Sequence, residues 1–217
     1  MVISTFEYVW KFKNLLLEWN EKFNLTSIIS DKEIEIKHFE DSIVNEKYFP
    51  KNAKVVEIGS GGGFPSIPLM CYRNDLSFTL VESVGKKCTF LTTCVDNLKI
   101  NAKVINKRAE DVAKNIEYRE KFDVVTARAV APLNTLLEYC LPFIKVGGIF
   151  VVYKGENCEE ENLSKNALSV LGGEIIVKEK YNLSENFGSR TVYVIKKVKK
   201  TPNNYPRGNG KERKNPL

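Results

Sequence analysis

The sequence predicts an α/β fold: a doubly wound, mostly parallel sheet of seven strands whose last strand runs antiparallel, preceded by N-terminal helices. Three observations carry this expectation. After Pro50, short β-branched runs alternate with helical stretches, the pattern of a sheet covered on both faces. The first of these runs leads straight into a glycine-rich turn and a second helix. The last two runs are joined by too few residues for a crossover helix, so they form an antiparallel hairpin and leave the sheet mixed at one edge.

In chain order, residues 5–22 place Phe6, Val9, Trp10, Lys13, Leu16, Leu17 and Phe23 at three- and four-residue steps, an amphipathic helix. Asn24-Leu-Thr-Ser27 breaks it, and Asp31 then caps a second helix with Ile34, Ile36, Phe39, Ile43 and Val44 as its apolar positions. Strands follow at 54–58, 77–81, 102–106, 122–126, 149–153, 174–177 and 191–195, with helical segments near 66–73, 84–98, 132–141 and 158–171. The chain divides into a helical extension at 1–50, a Rossmann-like core at 51–197 and a basic tail at 198–217, all within a single domain.

With 217 residues, 43% hydrophobic and 11% aromatic, the chain has a globular composition and is not a disordered one. The formal charge is +6, but residues 196–217 alone carry +7, which leaves a body of −1. No stretch reaches the roughly 18–20 apolar residues of a membrane helix. Glu7, Lys11, Lys13 and Glu18 exclude a signal peptide over the first 20 residues. Five cysteines (Cys71, Cys88, Cys94, Cys140 and Cys158) without CxxC spacing read as reduced thiols in a cytoplasmic protein, with no disulfide framework and no metal site.

The most informative segment is Val55-Val-Glu-Ile-Gly-Ser-Gly-Gly-Gly-Phe-Pro65. Gly59, Gly61 and Gly63 let the backbone turn sharply and admit a ligand close to the chain at the carboxyl edge of the sheet. Pro65 suits the first turn of the following helix. A dinucleotide fingerprint needs glycine where Phe64 stands, and no Gly-Lys-Ser/Thr follows for a phosphate loop. The GxGxG form, with Glu57 two residues earlier, resembles motif I of class I S-adenosylmethionine-dependent methyltransferases. Glu82 ends the next strand, where a carboxylate accepts hydrogen bonds from ribose hydroxyls. Ala109 and Glu110 follow the third strand, where this fold meets adenine. The plain alternatives are a tight strand-to-helix turn, a solvated Glu82, and Glu110 or Asp111 capping a short helix.

The loop after the fourth strand, Ala127-Arg-Ala-Val-Ala-Pro132, faces the same edge and is the place for a methyl acceptor. It lacks the Asn/Asp-Pro-Pro-aromatic motif of amino-group methyltransferases. It also lacks a cysteine nucleophile for carbon methylation, and Cys140 falls about two helical turns later, in the core. What remains is an acceptor that is already nucleophilic, such as N7 of guanine, whose methylation needs positioning and charge management without a general base. Arg128 is the first candidate catalytic group, able to meet a cofactor carboxylate, a phosphate or guanine O6, against a surface pairing with an acid such as Asp123. Lys154 is a second candidate and Arg190 a third. His38, the only histidine, reads as structural or as an RNA contact.

Taken together these segments resemble the bacterial 16S ribosomal RNA guanine-N7 methyltransferases, the glucose-inhibited division protein B family. The matching pieces are Asn20-Glu-Lys-Phe-Asn-Leu-Thr26, Lys37-His-Phe-Glu-Asp-Ser42, the glycine loop, Glu82-Ser-Val-Gly-Lys-Lys87, Arg108-Ala-Glu110, Ala127-Arg-Ala-Val-Ala131, Tyr153-Lys-Gly155 and Tyr205-Pro-Arg207. The resemblance implies S-adenosylmethionine held at Gly59, Phe64, Ala109, Glu110 and Arg128. It further implies a cytoplasmic enzyme acting on guanine in small-subunit RNA; a monomer is expected, with His38, Arg190 and Arg207 as the candidate RNA contacts. The chain departs from the family in two places: Ser66 replaces a glycine, and Lys211-Glu212 replaces Thr-Pro in the tail. The competing functions are a non-catalytic RNA-binding factor with a relic cofactor pocket and a small-molecule methyltransferase. The tail is expected to act as a sequence-blind phosphate contact, removable without loss of cofactor affinity.

Overall fold

The computed structural model describes residues 5–156 and 159–217, so Cys158 lies outside the described residues. The strands are β1 (Lys54–Ile58), β2 (Ser77–Glu82), β3 (Ala102–Asn106), β4 (Phe122–Arg128), β5 (Ile144–Lys154), β6 (Gly173–Asn182) and β7 (Ser189–Lys197). They form one seven-stranded sheet in the order β3-β2-β1-β4-β5-β7-β6. β1 to β5 pair in parallel, and β7 inserts antiparallel between β5 and β6. This is the mixed sheet the chain pattern predicts. β5 starts earlier than its β-branched run because Gly147 (φ 92°) and Gly148 allow an irregular register with β4; a Cβ on Gly148 would lie 2.6 Å from Asp123 O.

One face of the sheet is covered by the N-terminal helices and the helices Ser66–Tyr72 and Gly85–Leu98, the other by Leu133–Cys140 and Glu161–Leu171. Among the described side chains of the helix Thr5–Asn20, Phe12 and Leu16 are fully buried, and Phe12 packs on Phe39, Phe64 and Phe90. Trp10, placed by periodicity on the apolar face, is instead 58% exposed. The second helix begins at Asp31–Glu33, widens to a π-helix over Ile34–Glu40 and closes over Asp41–Ile43. Its cap is Ser30, whose hydroxyl accepts from the Glu33 N–H, so Asp31 is the first helical residue and not the cap. The wide turn shifts the later side chains around the axis. Val44 points to solvent, while His38 and Asp41 turn inward.

The segment after β7 is not a free tail. Lys197 is buried and donates to Leu141 O (2.8 Å), Leu171 O (3.2 Å) and the Thr201 hydroxyl. Arg119 donates to the carbonyls of Thr201, Pro202 and Tyr205. A last short helix, Lys211–Lys214, rests on Leu133–Cys140, where the Thr135 hydroxyl donates to Glu212 O at 3.1 Å. Among the described residues, no helix is long and apolar enough to cross a membrane, and no cluster of His, Cys, Asp or Glu suits a metal ion.

Candidate active site

β1 ends in the glycine turn at the carboxyl edge. The Gly59 and Ser60 N–H groups both donate to Val81 O, which lays the turn across the end of β2. Gly59, Gly61 and Gly63 all have positive φ (71°, 50° and 84°), which explains the glycine spacing. Glu82 braces the turn from the side: its carboxylate accepts from Gly61 N–H at 2.9 Å and from Val84 N–H at 2.8 Å. Two adjoining cavities share Gly59, Glu82, Ser83, Val130 and Arg213 and so form one cleft. One reaches Ala109 and Glu110 beyond β3, and the other runs along Ser60, Gly61, Gly62 and Phe64 toward Thr26 and His38. Gly63 stands outside this lining and is corrected from a ligand contact to a packing position, since a Cβ there would fall 2.4 Å from Ile67 Cδ1.

Glu57 lies beneath the turn, fully buried, and neither carboxylate oxygen has a hydrogen-bond partner. Burial raises its pKa to about 7, against lowering by Ser66 and by Arg128. The carboxylate that faces the cleft is that of Glu82, which disfavours a polyphosphate and fits a ligand that brings hydroxyls, while Glu57 stays beneath the turn.

A second cavity of about 320 Å³ opens on the far side of Arg128 and Ala129, lined by Lys37, Asp41, Lys154 and Arg190 among others. Arg128, Ala129 and His38 belong to both spaces and form the wall between them. Ala129 adopts φ 57°, a left-handed conformation that costs a non-glycine residue about 1–3 kcal/mol. Arg128 does not pair with Asp123, which sits at the opposite end of β4 against Lys145. Its Nη1 donates to Asp41 Oδ2 (3.1 Å) and Lys37 O (3.2 Å), and its Nη2 donates to His38 Nδ1 (3.1 Å). A guanidinium only donates, so Nδ1 is the acceptor and His38 carries its proton on Nε2, which meets the Thr26 hydroxyl at 2.8 Å. Burial first, and then the Arg128 charge, push the His38 pKa down to about 3, so the ring is neutral.

The Phe64 ring stacks on His38 (centroids 4.1 Å apart, 14° between planes) and lies 5.0 Å from the Arg128 guanidinium carbon. On the other side, Asp41 Oδ1 accepts from the Tyr181 hydroxyl at 2.7 Å, and Arg190 Nε is 3.9 Å from Oδ2.

Several expectations change in this light. His38 is buried with both ring nitrogens committed inside the protein, which does not suit it to direct RNA contact. Lys154 Nζ donates to Ala131 O and Glu160 Oε2, both at 2.9 Å, while Glu160 accepts from the Leu133 N–H; Lys154 therefore secures the acceptor loop. Arg207, read as an RNA contact, holds buried Glu138 through Nε (3.0 Å), Nη2 (2.7 Å) and its own N–H (2.8 Å). Arg213 lines the cleft and donates toward Val130 O at 3.5 Å, so the tail is part of the site and removing it cannot leave the cleft intact. The described cysteines are all buried thiols, Cys140 among them, and burial raises its pKa further.

Sequence reasoning missed Asp41, Thr26, Tyr181 and Arg213 as site residues. Thr26 and Asp41 stand inside segments that carry the family resemblance, which was their only signal. Tyr181 has none, because the sequence pattern marks a strand only over 174–177 whereas β6 runs to Asn182.

The family described as rRNA small subunit methyltransferase G (GidB) matches residues 6–185. "Ribosomal RNA small subunit methyltransferase G" of Acetivibrio thermocellus is 45% identical over 208 residues, 95% of this chain and 86% of that protein. The protein of the same description from Alkaliphilus oremlandii is 42% identical over 211 residues, covering 95% and 88%. Among solved structures, M. jannaschii TYW2 in complex with AdoMet superposes with a TM-score of 0.56 at 18% identity, covering 79% of this chain and 80% of that one; at this identity it speaks for the fold alone. The glycine cleft, the Arg128 wall and these matches agree: the chain belongs to the rRNA small subunit methyltransferase G family.

Proposed function

We propose that this chain is a cytoplasmic S-adenosylmethionine-dependent methyltransferase that modifies N7 of a guanine in 16S ribosomal RNA. The cofactor supplies a methyl group on a sulfonium, ready for transfer to a nucleophile. Its ribose is held by Glu82, its adenine by Ala109 and Glu110, and its amino-acid end by the turn at Gly59–Gly61 with Glu57 beneath. The target base enters the cavity beyond Arg128, so Arg128, Ala129 and His38, which border both spaces, position donor and acceptor against each other.

The observation that carries the choice of N7 is that the described residues of this cavity offer no free general base. His38 is neutral with both nitrogens engaged, Asp41 accepts from Arg128 and Tyr181, and Lys154 is tied to Ala131 and Glu160. Guanine N7 bears no proton, so its methylation needs none of them. Arg128, Lys154 and Arg190 line the space as cations, suited to the O6 of guanine and to a flanking phosphate. Family membership does not favour a relic pocket or a small-molecule substrate. The test is methyl transfer from labelled cofactor to small-subunit RNA, followed by cleavage chemistry specific for N7-methylguanine. Label on an exocyclic amino group or on carbon sinks the assignment.

A further inference from the structure

The folded tail places positive charge at one particular edge of the site. Glu212, the acid that replaces the family's usual proline, is fully buried and accepts the Gly208 N–H, which anchors the turn that carries it. With Glu212 turned in, its neighbours Lys211, Arg213 and Lys214 are exposed. Arg213 lines the cofactor cleft together with Lys107 and Arg108, which are also exposed. Lys114 joins the same ridge: a Cβ on Gly208 would lie 3.0 Å from its Nζ. Among the described residues, none of these six cations takes part in an ion pair. The nearby acids are fewer, with Glu110 inside the cleft and Asp111 exposed beside it.

Resting on the RNA-methyltransferase reading above, we propose that these six cations form a fixed basic rim that grips the phosphate backbone flanking the target nucleotide. Unpaired cations beside an active-site mouth complement a polyanion that must be threaded past it, and their attraction carries no sequence information. Fixing three of them on a docked turn removes ordering cost that a loose tail would bear on binding. Glu212, a departure from the family's pattern, thus braces the turn from within through the Gly208 N–H. A small-molecule substrate would gain nothing from Lys114, Lys211 and Lys214, which line no part of the cleft. The occupant is therefore an RNA strand, bound through phosphates and not through bases.

The test is fluorescence anisotropy with a labelled hairpin of small-subunit ribosomal RNA over a salt series from about 50 to 200 mM. The triple variant Lys114→Gln/Lys211→Gln/Lys214→Gln leaves every cleft-lining residue in place and should keep wild-type affinity for S-adenosylmethionine by calorimetry. The slope of log affinity against log salt should fall by about 2, at roughly 0.7 per single-strand phosphate contact. Lys51→Gln/Lys54→Gln/Lys196→Gln, at the opposite edge of the sheet, should keep the wild-type slope. A rim variant with the wild-type slope, or a control that loses as much, overturns the rim while the methyltransferase reading stands. Absence of RNA binding by the wild-type protein removes both.

Discussion

Asp41→Asn is the substitution that most directly tests how Arg128 is held. The Asp41 carboxylate, 5% exposed, accepts from Arg128 at 3.1 Å and from Tyr181 at 2.7 Å, with Arg190 3.9 Å away. Asparagine keeps the volume but carries no charge and presents one oxygen and one NH2, so Arg128 loses its counter-ion and the Tyr181 bond is weakened or reversed. A hydrogen bond to a charged group contributes about 1.5–3 kcal/mol, and a guanidinium left without its counter-ion moves the cost toward the upper end. We expect a loss of about 2–3 kcal/mol, read as a lower urea midpoint with an unchanged m value. For a chain of this size that is a fall in Tm of about 4–12 °C. Methyl transfer should fall at least tenfold while cofactor affinity changes less, because the cavity beyond Arg128 loses its wall. Tyr181→Phe alone should cost about 1 kcal/mol, and the double variant should cost less than the sum of the two. Strict additivity, or a single-variant loss under about 0.5 kcal/mol, would refute Asp41 as the hub of this network.

The neutral His38 makes stability depend on pH. Its pKa is about 3 in the fold against 6.5 when unperturbed, so its contribution is complete above pH 6.5 and is lost as pH falls toward 3, by up to about 1.4 kcal/mol per pH unit. His38→Gln should flatten that part of the urea-midpoint profile, and a variant profile parallel to wild type would count against a neutral ring. Arg207→Ala leaves Glu138 buried without its cation, at a cost of about 3–5 kcal/mol, and should make the tail protease-sensitive. Because Arg213 rides on the same segment, cofactor affinity should weaken with it; calorimetry showing wild-type affinity would separate the tail from the cleft.

The parts of the site that sequence reading recovered are local. The strand, glycine turn and helix follow one another between Lys54 and Tyr72. Glu82 and Ala109-Glu110 sit at the ends of the next two strands, so alternation and spacing find them. The Arg128 network is different in kind. Asp41 and Arg128 are 87 positions apart and Asp41 and Tyr181 are 140 apart, and no periodicity links such residues. A π-helical turn over Ile34–Glu40 turns His38 and Asp41 inward, and a 3.6-residue period cannot anticipate it. Charge counting located the basic tail correctly in sequence, but not the fact that Lys197 is buried and Arg207 is spent on Glu138. Thr26, His38 with Asp41, and Arg128 stand in three separate family segments, and only the fold shows that they form one network.

The place of β7 between β5 and β6 has a consequence for assembly. β6 pairs only with β7, and the outer side of β5 pairs only with β7, so neither can be completed from the residues before Ser189. A growing chain that has released β5 and β6 still exposes a long apolar edge, including Phe150, Val151 and Val152, with unpaired backbone groups along it. The gap is filled by β7 alone, and Lys197 at its end fastens the helix ends behind it. A chain stopped short of that strand would be an open-edged sheet prone to pair with its neighbours.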